Sequence, residues 1–218
     1  YVVAVPEHIA TVGTQTGPFT NVRVPGQAFD HLKAESAREG SPIEGLVDAS
    51  KLAVVGHSLG GATALQHAGN LCTPPLCFGP FQRPVELRAV IGFGASLRNR
   101  PPATGFINPD TTGVAAAQIH GSDDSISLIA DARQTFVNLE EPKTFFRING
   151  ANHYGITNTN NSGGRPEPAP ALDQAEGIEA IVGTTALFFG VHVQGDGSLH
   201  DAFSCFRGTK DGVVTLEQ

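Results

Sequence analysis

Gly56-His57-Ser58-Leu59-Gly60 follows the apolar run Leu52-Ala53-Val54-Val55 and leads into Gly61-Ala62-Thr63-Ala64-Leu65. The run reads as a strand and the stretch after it as a helix, so a serine stands on the sharp turn between them. A turn of this G-x-S-x-G type holds its serine at strained backbone angles with the hydroxyl exposed. The flanking glycines are expected because a side chain at either would meet the neighbouring strand or helix. The pentapeptide alone says little, since Gly and Ser are common. Its strand-turn-helix setting marks Ser58 as a candidate nucleophile; the plainer reading is a glycine-rich turn.

A serine hydroxyl is a poor nucleophile until a base accepts its proton, and the base needs a third group to orient it. Val114-Ala115-Ala116-Ala117-Gln118-Ile119 reads as a buried strand that ends in His120-Gly121-Ser122-Asp123-Asp124. Thr144-Phe145-Phe146-Arg147-Ile148 reads as the next strand and ends in Asn149-Gly150-Ala151-Asn152-His153. In an open parallel sheet, sites form beyond the carboxyl ends of the strands. Ser58, Asp124 and His153 can therefore meet on one rim although they are distant in sequence. Asp123 is the rival to Asp124 and otherwise reads as a turn residue bonding its own backbone. His57, in the variable position of the motif, reads as structural first and as a substrate contact second. His120 reads as a buried supporting group, and His8, His31, His67, His192 and His200 carry no motif.

Taken together, Gly56 to Gly60, His120-Gly121-x-x-Asp124 and Gly150-Ala151-Asn152-His153-Tyr154-Gly155 resemble α/β-hydrolases of the chlorophyllase, platelet-activating-factor acetylhydrolase and dienelactone hydrolase group, with cutinase-type polyester hydrolases as relatives. The likeness spans Tyr1 to about Ala202 and is specific for the superfamily and the Ser-Asp-His order, not for the substrate. It implies an α/β-hydrolase fold, a carboxylic ester hydrolase, no metal and no organic cofactor, and the backbone N–H of Leu59 as one donor to the oxyanion. It also implies that Tyr1-Val2-Val3-Ala4-Val5-Pro6-Glu7-His8 is the fourth strand of that fold. The strands and first helix that would precede it, and the loop carrying the second oxyanion donor, have no counterpart. The expectation is a single domain over residues 1–218 lacking its amino-terminal part. Otherwise Tyr1–Val5 pairs directly with the Ser58 strand, or another chain completes the sheet.

The remaining pattern alternates strands and helices, which predicts a mostly parallel sheet covered on both faces. Ala28 to Glu39 is expected as a helix closed by Gly40, Arg88 to Phe93 as a strand, and Ser127 to Leu139 as a helix. Ile178, Ile181, Val182, Thr185, Phe188, Phe189 and His192 recur at helical steps and are expected to pack on the sheet. The 218 residues carry a net charge of −7 and only 16% charged residues. That charge offers no basic footprint for nucleic acid, and no apolar run approaches the ~20 residues of a membrane span. Cys72 and Cys77 bracket a short loop and are expected to form a local disulfide, which would suit a secreted or extracytoplasmic protein. Cys205 is left over. Asn160-Asn161-Ser162 fits a glycosylation sequon, a short pattern of little weight.

Two loops at the expected rim are candidates for substrate contact: Leu97 to Asp110, with Pro101, Pro102 and Phe106, and Thr157 to Pro170. Neither is long enough for a lid domain, so the expected cleft is open. It would take short- to medium-chain esters or polyesters, although the lack of Trp removes one common stacking platform. The alternative is a non-catalytic hydrolase-like module or fragment that binds a partner through an unpaired sheet edge.

Overall fold

The computed structural model describes residues 1–218 apart from 8, 13, 100–101, 161–164, 200–207, 211 and 218. Strands β1 (Ile9–Val12) and β2 (Gln15–Pro18) pair antiparallel as a small sheet of their own. Helix α1 (Val24–Ala37) follows, then β3 (Leu52–His57), α2 (Leu59–Ala68), β4 (Leu87–Phe93), β5 (Ala115–Gly121), α3 (Ile129–Val137), β6 (Lys143–Ile148) and α4 (Gln174–Phe189). The chain closes with β7 (Gly208–Lys210) and β8 (Val214–Glu217). The main sheet has the order β3-β4-β5-β6-β8-β7. The first four strands are parallel; β8 runs antiparallel to β6, and β7 antiparallel to β8.

This is an α/β arrangement, a mostly parallel sheet with helices packed on it. Strands buried on both faces read as continuous apolar runs, and all seven residues of β5 are buried. Its successive side chains point to opposite faces. Ala115, Ala117 and Ile119 pack in a core with Ile181 and Phe188 of α4, while Ala116 packs in a second core with Leu65 and Ala68 of α2. The parallel direction of β3 to β6 brings their carboxyl ends, and the loops that follow them, to one rim.

β3 lies at the edge of this sheet: among the described residues no strand pairs with its outer side. Val55, in its middle, is 50% exposed. The expected strand at Tyr1–Val5 does not form. Residues 1–7 have no regular structure, Val5 is 89% exposed, and the Tyr1 ring rests 6.4 Å from that of Phe189 at the end of α4. A short apolar run becomes a strand only where a partner edge is in reach, and here the chain is drawn to the far end of α4 instead.

Three boundaries differ from the sequence reading for identifiable reasons. α1 begins at Val24 rather than Ala28, because Pro25 lies in its first turn, where the missing N–H costs nothing and the fixed φ is already helical. α4 starts at Gln174, capped by the Asp173 carboxylate, which accepts from the N–H groups of Ala175 and Glu176. It continues as a π-helical turn over Gly190–Gln194. Together these 21 residues are long and apolar enough to cross a membrane by length and composition, beyond what the sequence reading allowed. One face is nevertheless spent on the sheet through Ile181 and Phe188. Cys72 and Cys77 are joined in a disulfide. His8, His200, Cys205, Pro101 and the Asn161-Ser162 half of the sequon lie outside the described residues.

Candidate active site

Ser58 sits between the end of β3 and the first residue of α2 with φ 54 and ψ −119, a conformation a non-glycine residue rarely adopts. It is pinned on both sides: its N–H donates to the Phe93 carbonyl at 2.8 Å, and its own carbonyl accepts from Ala62 N–H at 3.0 Å, opening α2. Leu59, as the first helical residue, has a backbone N–H with no intrahelical acceptor. Two glycines make the crowded crossing of strand and helix possible. A Cβ at Gly56 would land on the Gly60 carbonyl, and one at Gly61 would come within 2.6 Å of Ala95 Cβ. Gly60 itself faces open space, contrary to the expectation that both glycines of the motif avoid collisions. The tight positions are Gly56 and Gly61.

The carboxylate and the imidazole come from the ends of β5 and β6. His153 Nδ1–H donates to Asp124 Oδ2 at 2.8 Å, with the two residues only 3% and 6% exposed. The other carboxylate oxygen, Oδ1, accepts from the N–H groups of Ile126 at 2.9 Å and Ser127 at 2.7 Å. Its orientation is thus set by its own loop before the imidazole arrives. Asp123, the rival, is exposed and spends its oxygens on the Ser122 hydroxyl and the Ala171 N–H. His120, also buried, donates Nε2–H to the Ser127 carbonyl at 2.7 Å and lies 3.5 Å from Asp124 Oδ2. Burial pushes its pKa down, against the pull of Asp124, so it supports the acid loop as a neutral ring.

Ser58 and His153 open on one cleft of about 380 Å³, together with Leu59, Leu128, Arg98 and Arg165. Arg98 is paired with Asp131 at 3.0 Å across the outer wall. A hollow of similar size between α3 and β6 has its polar groups committed to one another: Arg133 makes a two-point bond to Glu217, and Lys143 caps the carbonyls of Val137 and Leu139. The cleft at Ser58 is where side chains of reactive type converge. Among the described residues no three His, Cys, Asp or Glu side chains come together as a metal site. No family model matches the chain, and no curated protein matches it.

Two residues named as substrate contacts are placed elsewhere. His57 is turned away from the cleft. Its Nε2–H donates to the His153 carbonyl at 2.8 Å and its ring lies 4.6 Å from the His153 ring. Burial first, and then the adjoining imidazole, hold its pKa down at about 4. A neutral ring bonded to backbone is a strut, because its one N–H is already used. Phe106 is not among the cleft's lining residues; it bridges back to Arg98 across a turn within its own loop.

Two residues carry part of the site without having stood out in the sequence. Gly94, just past β4, has φ 53, and a Cβ there would come within 3.0 Å of His153 Nδ1 and 3.1 Å of Asp124 Oδ2. Its one available signal was a glycine directly after a strand on the rim. Glu167, buried in the loop after His153, had none. Gly94→Ala is expected to keep the chain folded, to push the imidazole off the carboxylate, and to lower kcat for a p-nitrophenyl ester on the order of 10- to 100-fold. Steady-state kinetics beside a thermal melt checks it.

Proposed function

We propose that the chain is a serine-dependent carboxylic ester hydrolase of α/β-hydrolase fold, acting on short- to medium-chain esters or polyesters through an acyl-enzyme. The observation that carries this reading is the buried 2.8 Å His153–Asp124 bond, opening on the cleft where Ser58 stands on its strained turn. In this mechanism, His153 Nε2 takes the proton of the Ser58 hydroxyl as the oxygen attacks the ester carbonyl. Asp124 keeps the other imidazole nitrogen protonated and stabilises the imidazolium. The tetrahedral oxyanion is met by Leu59 N–H at the positive end of α2. The imidazolium then gives its proton to the departing alcohol, and the acyl group stays on Ser58. Water, deprotonated by the same imidazole, releases the acid and restores the serine.

The cleft's modest volume of about 380 Å³ favours short acyl chains or accessible polymer esters. The Cys72–Cys77 disulfide supports a secreted or extracytoplasmic setting, where such bonds persist. The exposed outer edge of β3 favours a second reading, a hydrolase-like module that receives a strand from a partner or from another segment. Hydrolysis of p-nitrophenyl butyrate by the wild-type chain and by Ser58→Ala separates the two readings.

A further inference from the structure

Glu167 is 6% exposed, in the middle of a loop rich in proline. One of its oxygens, Oε2, accepts from the backbone N–H of His153 at 2.9 Å. The other, Oε1, accepts from the backbone N–H of Ser125 at 2.6 Å and from the Ser125 hydroxyl at 3.3 Å. Ser125 directly follows Asp124. A single carboxylate therefore ties the peptide of the base to the peptide next to the acid. The opposite side of the His153 residue is held by His57, whose Nε2–H meets the His153 carbonyl at 2.8 Å. Both backbone polar groups of residue 153 are thus gripped by side chains, one from the end of the Ser58 strand and one from the loop beyond.

Burying a carboxylate is costly unless it is hydrogen-bonded, and a neutral side chain or a backbone turn could hold a loop at lower cost. Bonds from N–H groups to a carboxylate are short and roughly twice as strong as neutral ones. Here they fall on the backbone of His153 and of Ser125, the residue directly after Asp124, and so tie the two ends of the Asp124–His153 bond together. We propose that Glu167 is a positioning residue for the reaction, fixing the base against the acid, with His57 completing the clamp from the Ser58 side. This rests on the ester hydrolase reading and assigns to Glu167 the task of organising the site.

The test uses the full chain with Glu167→Gln and Glu167→Asp, p-nitrophenyl butyrate as substrate, and NMR of the low-field imidazole proton shared by His153 and Asp124. A glutamine amide can accept from only one of the two N–H groups and presents a donor to the other. An aspartate is one methylene too short to span both, and it carries the test if the glutamine variant does not fold. The expected result is a kcat lowered on the order of 10- to 100-fold with KM within about twofold, and loss of the low-field resonance to exchange with water. A glutamate that merely held the loop would lower the unfolding temperature and leave both readouts at their wild-type values in the folded variants, and that result overturns the proposal. If the wild-type chain itself shows no turnover, the hydrolase reading falls and the resonance alone decides: lost in the variants supports the clamp, retained in both overturns it.

Discussion

Asp124→Asn is expected to lower kcat for p-nitrophenyl butyrate on the order of 10⁴-fold, and Asp123→Asn to leave it within about twofold. The reason lies in what already holds the Asp124 carboxylate. Oδ1 faces two backbone N–H groups, those of Ile126 and Ser127, at 2.9 and 2.7 Å. An asparagine must offer those donors its carbonyl oxygen, which turns its NH₂ toward His153 Nδ1. The imidazole then has to accept at Nδ1 and carry its proton on Nε2, the tautomer that cannot take a proton from Ser58. Shape and packing are unchanged, so the loss falls on kcat, with the unfolding transition kept. Asp123 has no such leverage, because its oxygens bond the Ser122 hydroxyl and the Ala171 N–H away from any imidazole. Equal, small losses in the two variants would show that the carboxylate does not set the tautomer.

The second large effect is on the fold. Gly56→Ala places a methyl on the Gly60 carbonyl and 2.7 Å from Gly61 N, all of it backbone. No rotamer change relieves such a contact; the turn itself would have to open. The expected cost is at least about 3 kcal/mol, the upper end of ordinary overpacking. For a domain of this size that is a fall of roughly 10 °C in unfolding temperature, or failure to accumulate as soluble protein. Gly60→Ala, two positions past the serine, meets open space and is expected to leave the stability unchanged or raise it by up to about 1 kcal/mol, since alanine orders a helix at lower entropic cost. Thermal unfolding of the pair checks both, and a tolerant Gly56 with an intolerant Gly60 would contradict the packing described.

The strands at the centre of the sheet were legible because burial on two faces keeps them mostly apolar, with Gln118 and Thr144 as buried polar exceptions. Ala115 to Ile119 and Thr144 to Ile148 announce themselves by composition, and the site residues beyond them are marked by the glycine turns at Gly121 and Gly150. The edges were not legible, because an edge depends on what is near it in space. Tyr1–Val5 has strand-like residues, yet its Tyr1 ring rests against Phe189 of α4 and the segment does not join the open edge of β3. Conversely, β7 and β8 form from Gly208–Lys210 and Val214–Glu217, around a turn where Gly212 has φ 75, although no long apolar run advertises them. The start of α1 at Val24, with Pro25 in its first turn, lies four residues before the expected Ala28.

In the candidate site, Ser58, Asp124 and His153 each sit a short way past a strand, where local pattern could point to them, with the resemblance favouring Asp124 over Asp123. Glu167 acts at a distance of 14 residues from His153 and 42 from Ser125, through bonds to backbone, which leave no spacing rule in the sequence. His57 fits its first reading, a structural one, and not its second as a substrate contact, because the bond to the His153 carbonyl turns its ring inward. Phe106 was chosen for its loop, and that loop folds on itself through the Arg98–Phe106 bridge.

The most direct test of the account is the rate of p-nitrophenyl butyrate hydrolysis by the folded 218-residue chain beside its Ser58→Ala variant. Turnover is expected in the wild type, with a kcat lower on the order of 10⁴-fold or more in the variant at unchanged secondary structure. Equal, negligible rates from two folded samples would contradict it and leave the open edge of β3, rather than the serine, as the feature in need of a function.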